Sequence, residues 1–356
     1  MSSQVLDALR AAHAFDSSPL HVDMPAYHVA FDDPGRTGTE SGVVRAAHSA
    51  ERIGVQGPIG CGKTSLLRYA LDDPDSALAP IWVSVAFDDD AVILDPRRFA
   101  AHLVQSIMRD AERARSLSEK QRSAILTAAA AKRPLPASER KLAGKLAAKF
   151  WIASGEVARE VTRSLAGVEL DRPASEVLDA VNQALEVIAD TGRQPVIVVD
   201  DSDSFTRRPA STATREELVG AFFGPVLRSL TEVHAGFVVA VHDEYVQMGS
   251  FATARREHGA LERLLPVPEV VSGQLERILD RRTGLATDVG RDAAFSPDAV
   301  VEVAELNRGR ARRNLRSTLG IAHDALVSAI DRGAELIEAT DIERAAVQHL
   351  GSGDTP

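Results

Sequence analysis

Gly57-Pro58-Ile59-Gly60-Cys61-Gly62-Lys63-Thr64 is the most informative part of the sequence. It matches the pattern G-x-x-x-x-G-K-[ST], and it stands between a short apolar run, Arg52–Val55, and an apolar-periodic stretch, Leu66–Leu71, in the order strand, loop, helix. Glycines let a backbone wrap tightly with its N–H groups turned inward, and the following helix offers the positive end of its dipole to an anion. The stretch therefore predicts a binding site for the phosphates of a nucleotide.

Two side chains at the end of this phosphate loop carry the predicted chemistry. Lys63 is expected to reach the β- and γ-phosphates of ATP, and Thr64 is expected to ligate Mg²⁺. The alternative is a glycine-rich turn without a ligand. The residues predicted to contact the nucleotide are Gly57, Pro58, Ile59, Gly60, Cys61, Gly62, Lys63, Thr64 and Ser65.

A pair of acids follows an apolar run later in the chain. Residues 195 to 205 read PVIVVDDSDSF, where a buried strand is predicted to deliver Asp200 and Asp201 to the carboxyl end of a sheet. Ligands bind at that end in open α/β folds. In a phosphate-loop protein we expect Asp200 to complete the Mg²⁺ shell and Asp201 to orient the water that attacks the γ-phosphate. The alternative is an acidic turn exposed to solvent.

The bulk composition is that of an ordinary globular protein. The chain has 356 residues, of which 44% are hydrophobic and 26% charged, enough for roughly two or three domains. Its longest apolar runs, such as Gly236–Val241, are much shorter than a membrane span, and its first residues lack the pattern of a secretory leader. The single cysteine, Cys61, excludes an internal disulfide. These features predict a cytoplasmic protein.

The charge is unevenly distributed along the chain. A net charge of −10 at pH 7 argues against a protein whose whole surface binds nucleic acid. Between residues 109 and 163, however, there are thirteen Lys and Arg against six Asp and Glu. From Leu142 to Leu165 the apolar residues of this region recur at helical spacing. We expect this segment to contact DNA or a protein partner; the alternative is that its apolar stripe packs on its own domain.

The order of the apolar runs predicts an α/β protein with a parallel sheet covered by helices on both faces. Residues 1–50 are predicted to be an irregular segment, with one short helix near Val5–Ala12, that folds over the nucleotide base. Residues 51–272 form the predicted core, with a helical insertion at about 110–170, and residues 273–356 form a separate helical domain with caps at Ser296 and Thr340. The predicted strands after the phosphate loop are Ile81–Val85, Val196–Val199, Phe237–Val241 and Leu264–Val267.

Together these motifs resemble those of the AAA+ ATPases, and within that group the sequence is most similar to the branch of origin-recognition and replication-initiator ATPases. The resemblance covers roughly residues 50 to 350. It implies a phosphate-loop AAA+ core with an all-α lid domain, binding and hydrolysis of ATP with Mg²⁺, and assembly into an oligomer. The stretches that carry it are GPIGCGKT at 57–64, VVDDSD at 198–203, VVAVHDE at 238–244 and GRARRNL at 309–315.

The resemblance also implies roles for residues outside the loop. His242 matches the position that senses the γ-phosphate, where Asn, Ser or Thr is more usual; the alternative is that it caps the next helix. Arg312 matches the lid arginine that reaches the bound nucleotide; the alternative is a solvated helix start. An arginine from a neighbouring subunit completes the site in such families, and the sequence offers Arg255, Arg256 and Arg263 without selecting among them.

Three functions remain open from the sequence. The first is an AAA+ ATPase that uses rearrangement of its lid and subunits to act on DNA or a DNA-bound protein complex, with slow hydrolysis because Asp201 is one methylene shorter than the glutamate usual in the family. Only 4% of residues are aromatic, which leaves few platforms for stacking on bases. The second is an ATP-dependent switch that binds a protein effector without DNA. The third is a nucleotide-binding scaffold without turnover.

Overall fold

The structure is a computed structural model that describes residues 2–16, 24–31, 38–73, 76–85, 90–113, 174–202, 212–312 and 314–351. The chain divides into two compact units. One comprises residues 1–43, 56–72 and 265–356, and we call it the loop–lid unit. The other comprises residues 44–55 and 73–264, and we call it the sheet unit. The predicted basic insertion lies almost wholly outside the described residues, since they leave out 114–173.

Five strands form one sheet in the order β2-β3-β4-β1-β5. The strands are β1 Arg52–Gly57, β2 Leu78–Ser84, β3 Gln194–Asp200, β4 Gly236–His242 and β5 Arg263–Pro266. The helices in the first half of the chain are α1 Ser2–Ala11, α2 Met24–Tyr27, α3 Thr39–His48, α4 Lys63–Leu71, α5 Ala91–Leu94, α6 Pro96–Arg113 and α7 Ala174–Ala189. Those in the second half are α8 Thr212–Ala221, α9 Leu227–Ser229, α10 Asp243–Val246, α11 Gly249–His258, α12 Ser272–Thr287, α13 Pro297–Arg308, α14 Leu315–Asp331 and α15 Ala339–Leu350.

The centre of the sheet unit consists of strands buried on both faces. β2 pairs with β3 and β3 with β4, both in parallel, with Val196 opposite Gly236 and Val199 opposite Val239. Every residue of β4 is buried, as are all residues of β3 after the first. Continuous runs of apolar, mostly β-branched residues are typical of strands in a covered parallel sheet. The predicted strands and the predicted α/β class are therefore confirmed.

The N-terminal segment is more regular than its sequence predicts. It contains α1, α2 and α3, and in α1 the side chains of Leu6 and Leu9 are fully buried. They share the core of the loop–lid unit with residues of α12 to α15, and the ring of Phe15 meets that of Phe295 edge-on at 5.4 Å between centroids. The partners of this helix lie far along the chain, so local periodicity gave only a weak signal for it.

A buried arginine holds the same N-terminal segment to α12. The Arg282 guanidinium donates to the carbonyls of Ala14 at 2.8 Å and Asp16 at 3.0 Å, and it lies 5.2 Å from the centroid of the Tyr27 ring. Burial lowers the pKa of Arg282 to about 10, which still leaves the side chain charged at neutral pH. The described residues between 2 and 31 are thus part of the helical core of this unit.

Helix boundaries follow the capping residues. Ser296 caps α13 as predicted, because its hydroxyl accepts from the Ala299 N–H at 3.3 Å. The cap of α15 is Glu338 rather than the predicted Thr340, and it forms a reciprocal capping box with Asp341. α14 begins only after its cap, Asn314. Within the described ranges, no helix combines the length and apolarity needed to cross a membrane.

Candidate functional site

The phosphate loop joins β1 to α4 in a conformation that its glycines permit. Gly60 and Gly62 have φ values of 75° and 99°, in the left-handed region that L side chains rarely adopt. Gly57 has no room for a side chain, since a Cβ there would lie 2.6 Å from Cys61 Sγ. Gly62 is the N-cap of α4. The loop therefore ends at a helix N-terminus, where backbone N–H groups and the helix dipole favour an anion.

The ammonium group of Lys63 is held over this loop. The side chain is buried, and Nζ donates to the carbonyl oxygens of Gly57 and Pro58, each at 2.9 Å. A lysine ammonium carries three donors and a full positive charge. These two carbonyl groups hold the ammonium beside the loop, and its role toward a polyphosphate stays a prediction.

A histidine from the N-terminal segment contacts the residue after the loop motif. His28 Nδ1 lies 3.0 Å from Ser65 Oγ, and its Nε2 lies 3.2 Å from Glu40 Oε1, which also accepts the Phe31 N–H at 2.7 Å. A carboxylate only accepts, so the ring proton belongs on Nε2 and the Ser65 hydroxyl donates to Nδ1. Ser65 is one of the predicted nucleotide contacts, whereas the sequence gave no sign of the contacts that His28 makes with Ser65 and Glu40.

A cavity of about 410 Å³ lies beside this histidine, within the loop–lid unit. The His28 ring stacks on that of Tyr69, with 4.6 Å between centroids and 30° between planes. Tyr69 is 43% exposed, which leaves part of its ring accessible. An accessible aromatic ring beside a cavity of this size suits a planar heterocycle. The lining residues are Pro25, His28, Val29, Tyr69, Arg277, Asp280 and Arg281.

The turn before α14 contacts the phosphate loop through two residues to which the sequence gave no role. Arg312 is exposed, has a φ of 48°, and donates its N–H to the Gly309 carbonyl at 3.0 Å. The Arg316 N–H instead donates to the Gly60 carbonyl at 3.2 Å. A Cβ at Gly60 would overlap the carboxamide oxygen of Asn314. Asn314 and Arg316 therefore contact the loop, and the role of Arg312 stays a prediction.

In the sheet unit, Asp200 and Asp201 follow one another at the carboxyl end of β3. Asp200 is 8% exposed, and its carbonyl accepts the Val85 N–H at 3.1 Å. Asp201 is exposed and has a φ of 62°, in the left-handed region that aspartate tolerates better than most residues. Its carboxylate accepts a hydrogen bond from the Ser84 hydroxyl at 2.9 Å. The end of β2 thus orients the acid that was predicted to act on water.

His242 ends the neighbouring strand, β4, and caps α10. Its Nδ1 accepts the Glu244 N–H at 3.1 Å, which is the structural role that the sequence left open, while its role as a γ-phosphate sensor stays a prediction. Two further bonds fix this end of the sheet: Ser202 donates to the Ala240 carbonyl and the Tyr245 hydroxyl donates to the Ser202 carbonyl, each at 2.5 Å. We call Asp200, Asp201 and His242 the carboxyl edge.

The three candidate trans arginines differ in their surroundings. Arg263 forms a two-point ion pair with Glu51, at 3.0 Å from Nε and 2.9 Å from Nη2. Arg256 lies on α11 with its side chain 73% exposed, 3.7 Å from Glu257. Arg255 precedes it on the same helix and is partly buried. Exposure therefore separates Arg256 from Arg263.

The predicted metal ligands are oxygen donors of the kind that Mg²⁺ prefers. Thr64 lies in the first turn of α4 and Asp200 ends β3. In the part of the chain that the structure describes, no three His, Cys, Asp or Glu residues are grouped so as to hold a metal ion. Mg²⁺ in nucleotide sites binds through one or two protein groups and completes its shell with phosphates and water. The donor types of Thr64 and Asp200 fit this requirement.

Comparison with known proteins identifies the fold. No family model matches the sequence, and no curated protein matches it. Among solved structures, the ORC2 protein of Aeropyrum pernix in ADPNP–ADP complexes matches with 14% identity and a TM-score of 0.52, over 96% of this chain and 72% of that chain. The ADP form of that protein matches with 14% identity and a TM-score of 0.50, over 96% and 74%. Cdc6p from Pyrobaculum aerophilum matches with 12% identity and a TM-score of 0.48, over 94% and 73%.

The two ORC2 likenesses show that the chain shares the fold of that protein, an α/β core with a helical domain, as the sequence predicts for the fold class. The sequence assigned no role to His28, Tyr69 and Asn314 in the loop–lid unit, nor to Ser84 in the sheet unit. His28 and Ser84 gave no signal, because their partners lie 37 and 117 residues away. Asn314 had a signal, an Asn directly before an apolar-periodic run, and Tyr69 reads as an ordinary helix position.

Proposed function

We propose that this chain is an AAA+ ATPase that binds Mg-ATP, hydrolyses it slowly, and uses the nucleotide state of its loop–lid unit to act on DNA or on a DNA-bound protein complex. The phosphate loop carries the proposal: two left-handed glycines, a helix N-terminus and the buried, positioned ammonium of Lys63 come together in one unit. The chain shares its fold with the ORC2 protein of Aeropyrum pernix, whose structure is that of complexes with ADPNP and ADP, and this supports an adenine nucleotide as the ligand.

The nucleotide is proposed to lie with its phosphates on the loop and its base toward the cavity beside Tyr69. The stacked pair of His28 and Tyr69 would present an aromatic face to the base, and the bond from Ser65 to His28 links that face to the first turn of α4. The predicted contact set, from Gly57 to Ser65, is kept as the proposed binding site. A cytoplasmic location is proposed as well, and the single cysteine supports it.

The residues proposed for hydrolysis belong to the carboxyl edge and the lid. Asp201 would take up the proton of the attacking water, and the Ser84 hydroxyl holds its carboxylate at 2.9 Å. Bound Mg²⁺ would neutralise charge on the phosphates, and Thr64 and Asp200 are the residues that would hold it. His242 is proposed to sense the γ-phosphate, and Arg312 is proposed to reach the phosphates of the bound nucleotide and to couple the lid to the nucleotide state, as their motifs imply. The short side chain of Asp201 is the reason for proposing slow turnover.

An arginine from a second copy of the chain is proposed to complete the site, so the active form is a homo-oligomer. A cation supplied in trans stabilises charge that develops in the transition state. Arg256 is the best candidate, because its side chain is 73% exposed, whereas Arg263 is engaged with Glu51. Arg255, beside Arg256 on α11, is the second candidate.

The partner is proposed to be DNA or a DNA-bound complex, contacted through the basic segment 109–163. Its surplus of positive charge on an otherwise acidic chain supports this choice. The apolar stripe from Leu142 to Leu165 is the feature that favours the second candidate, a switch that binds a protein effector. A scaffold without turnover is the third.

Calorimetry and turnover measurements separate these candidates. Titration of MgATP into the purified chain should show uptake, and the absence of binding of both ATP and ADP would reject the proposal outright. ATP hydrolysis should then rise on addition of duplex DNA, and the stimulation should fall steeply with salt, because DNA phosphates bound by Lys and Arg release counterions. Hydrolysis that is indifferent to DNA indicates the protein effector, and binding without turnover indicates the scaffold.

A further inference from the structure

We propose that Asn314 is a positioning residue for the phosphate loop, and that its contact with Gly60 presets the loop for the phosphates of ATP and ADP alike. The inference rests on the proposed nucleotide binding and deepens it. Part of the nucleotide affinity would then come from Asn314, which holds the loop in shape and does not itself contact a phosphate.

The first observation is the way in which Gly60 is held. A Cβ at this position would overlap Asn314 Oδ1 and lie 2.7 Å from its Cγ, so the carboxamide occupies the space against the glycine. The Gly60 carbonyl accepts the Arg316 N–H at 3.2 Å, and the Cys61 N–H donates to the Pro58 carbonyl at 3.4 Å. The planar peptide group between Gly60 and Cys61 is thus bonded at its oxygen and at its nitrogen. It cannot turn without losing a hydrogen bond.

The second observation is that Asn314 is itself fixed. Its Oδ1 accepts the Ser317 N–H at 3.1 Å, and its main-chain carbonyl accepts the Thr318 N–H and the Thr318 hydroxyl, each at 3.0 Å. That hydroxyl shares its single proton between this carbonyl and Asn307 Oδ1, which lies 2.9 Å away, and Asn307 Nδ2 donates to the Val270 carbonyl at 3.2 Å. Thr318 and Asn307 are 1% and 2% exposed. A buried, connected polar network of this kind holds its members in one arrangement.

The third observation separates this residue from the predicted sensor. Arg312 is exposed and lies two residues before Asn314. Its N–H donates to the Gly309 carbonyl, so this bond stays within the turn. A sensor of the γ-phosphate discriminates ATP from ADP, because only ATP carries that group. A contact that shapes the loop from the side of Gly60 acts equally on both nucleotides. The two roles therefore predict different ratios of affinity.

The test is the variant Asn314→Ser. Serine is also a preferred N-cap, so it keeps an acceptor for the Ser317 N–H while withdrawing the carboxamide from Gly60. We expect the dissociation constants for MgATP and for ADP to rise by the same factor, about fivefold, because the loop loses the packing contact that presets it before the nucleotide binds. The thermal unfolding midpoint should remain at the wild-type value, because the cap of α14 is kept.

Two companion variants complete the measurement. Asn314→Ala removes the cap as well, so it should lower the unfolding midpoint in addition to both affinities. Arg312→Ala should weaken ATP alone. The inference is overturned if Asn314→Ser binds both nucleotides as tightly as the wild type, or if it loses affinity only for ATP. A wild-type chain that binds neither nucleotide rejects the proposed function instead, so the two failures are distinct.

Discussion

The phosphate loop and the carboxyl edge are held in place by different means. In the loop, main-chain groups do most of the work: left-handed Gly60 and Gly62, and carbonyls that receive the Lys63 ammonium. At the carboxyl edge, side chains do it, since Ser84 bonds Asp201 and the His242 ring caps α10. Substitutions in the two regions should therefore have different effects. Damage to the loop should abolish binding, whereas damage to the edge should slow the reaction of a nucleotide that still binds.

The largest effect is expected from Lys63→Ala. The variant removes a buried ammonium that would otherwise pair with the phosphates, and loss of one partner of a buried charge pair costs about 3–5 kcal/mol, roughly a thousandfold in affinity. Calorimetry should therefore detect no binding of MgATP at concentrations that saturate the wild type.

Arg68→Ala is the matched control for this variant. Arg68 lies on the same helix, α4, but it pairs with Asp72 at 3.0 Å. Its removal takes away one positive charge without touching the loop, so the affinity for ATP should be unchanged. A comparable loss in both variants would show that net charge, and not the loop, decides binding.

The next largest effect is expected from Asp201→Asn. This variant should slow ATP turnover while leaving ATP binding intact. An amide of the same shape still accepts the Ser84 hydrogen bond but cannot take up a proton from water. Removal of a general base slows a reaction by about a hundredfold or more. ATP affinity should stay within about twofold of the wild type, a change too small to count as a lost hydrogen bond.

Initial-rate measurements at saturating MgATP give the turnover number of this variant, and calorimetry on the same protein gives its affinity. Normal turnover by Asp201→Asn would remove the acid from the proposed mechanism. Loss of binding would show that the carboxyl edge takes part in holding the nucleotide, and the contrast between the two regions would then break down.

The same contrast explains how far the sequence could predict the molecule. The phosphate loop is local, since eight consecutive residues contain its glycines, its lysine and the start of α4, and its spelling alone predicted it. β3 and β4 were predicted because strands covered on both faces are written as unbroken apolar runs. For the same reason the fold class followed from the order of such runs.

Contacts between distant residues could not be predicted in this way. Ser84 and Asp201 are 117 residues apart, and nothing near either one signals their hydrogen bond. Leu6 and Leu9 of α1 are buried by residues of α12 to α15, which lie far along the chain, so the sequence near α1 does not show which of its faces is buried. Asn314 is a different case: its local capping signal was present, because it stands directly before the apolar-periodic run that forms α14, but the sequence does not show its contact with Gly60.

The smallest effect is expected from Ser84→Ala, and it tests whether a side chain at the end of β2 sets the activity of the carboxyl edge. The Ser84 hydroxyl donates to the Asp201 carboxylate at 2.9 Å, and the backbone of Asp201 has a left-handed φ of 62°. Loss of one hydrogen bond of about 1 kcal/mol should lower the turnover number about fivefold and leave ATP affinity unchanged.

Ser84→Thr is the control for this last variant, because it keeps the hydroxyl and a β-branched residue suits a strand position. Its turnover should stay close to that of the wild type. A rise in turnover in Ser84→Ala is the informative contrary result, because it would mean that the hydroxyl holds Asp201 away from the attacking water. The carboxyl edge would then be a restrained site that something else must release, whereas the phosphate loop is set by its own backbone.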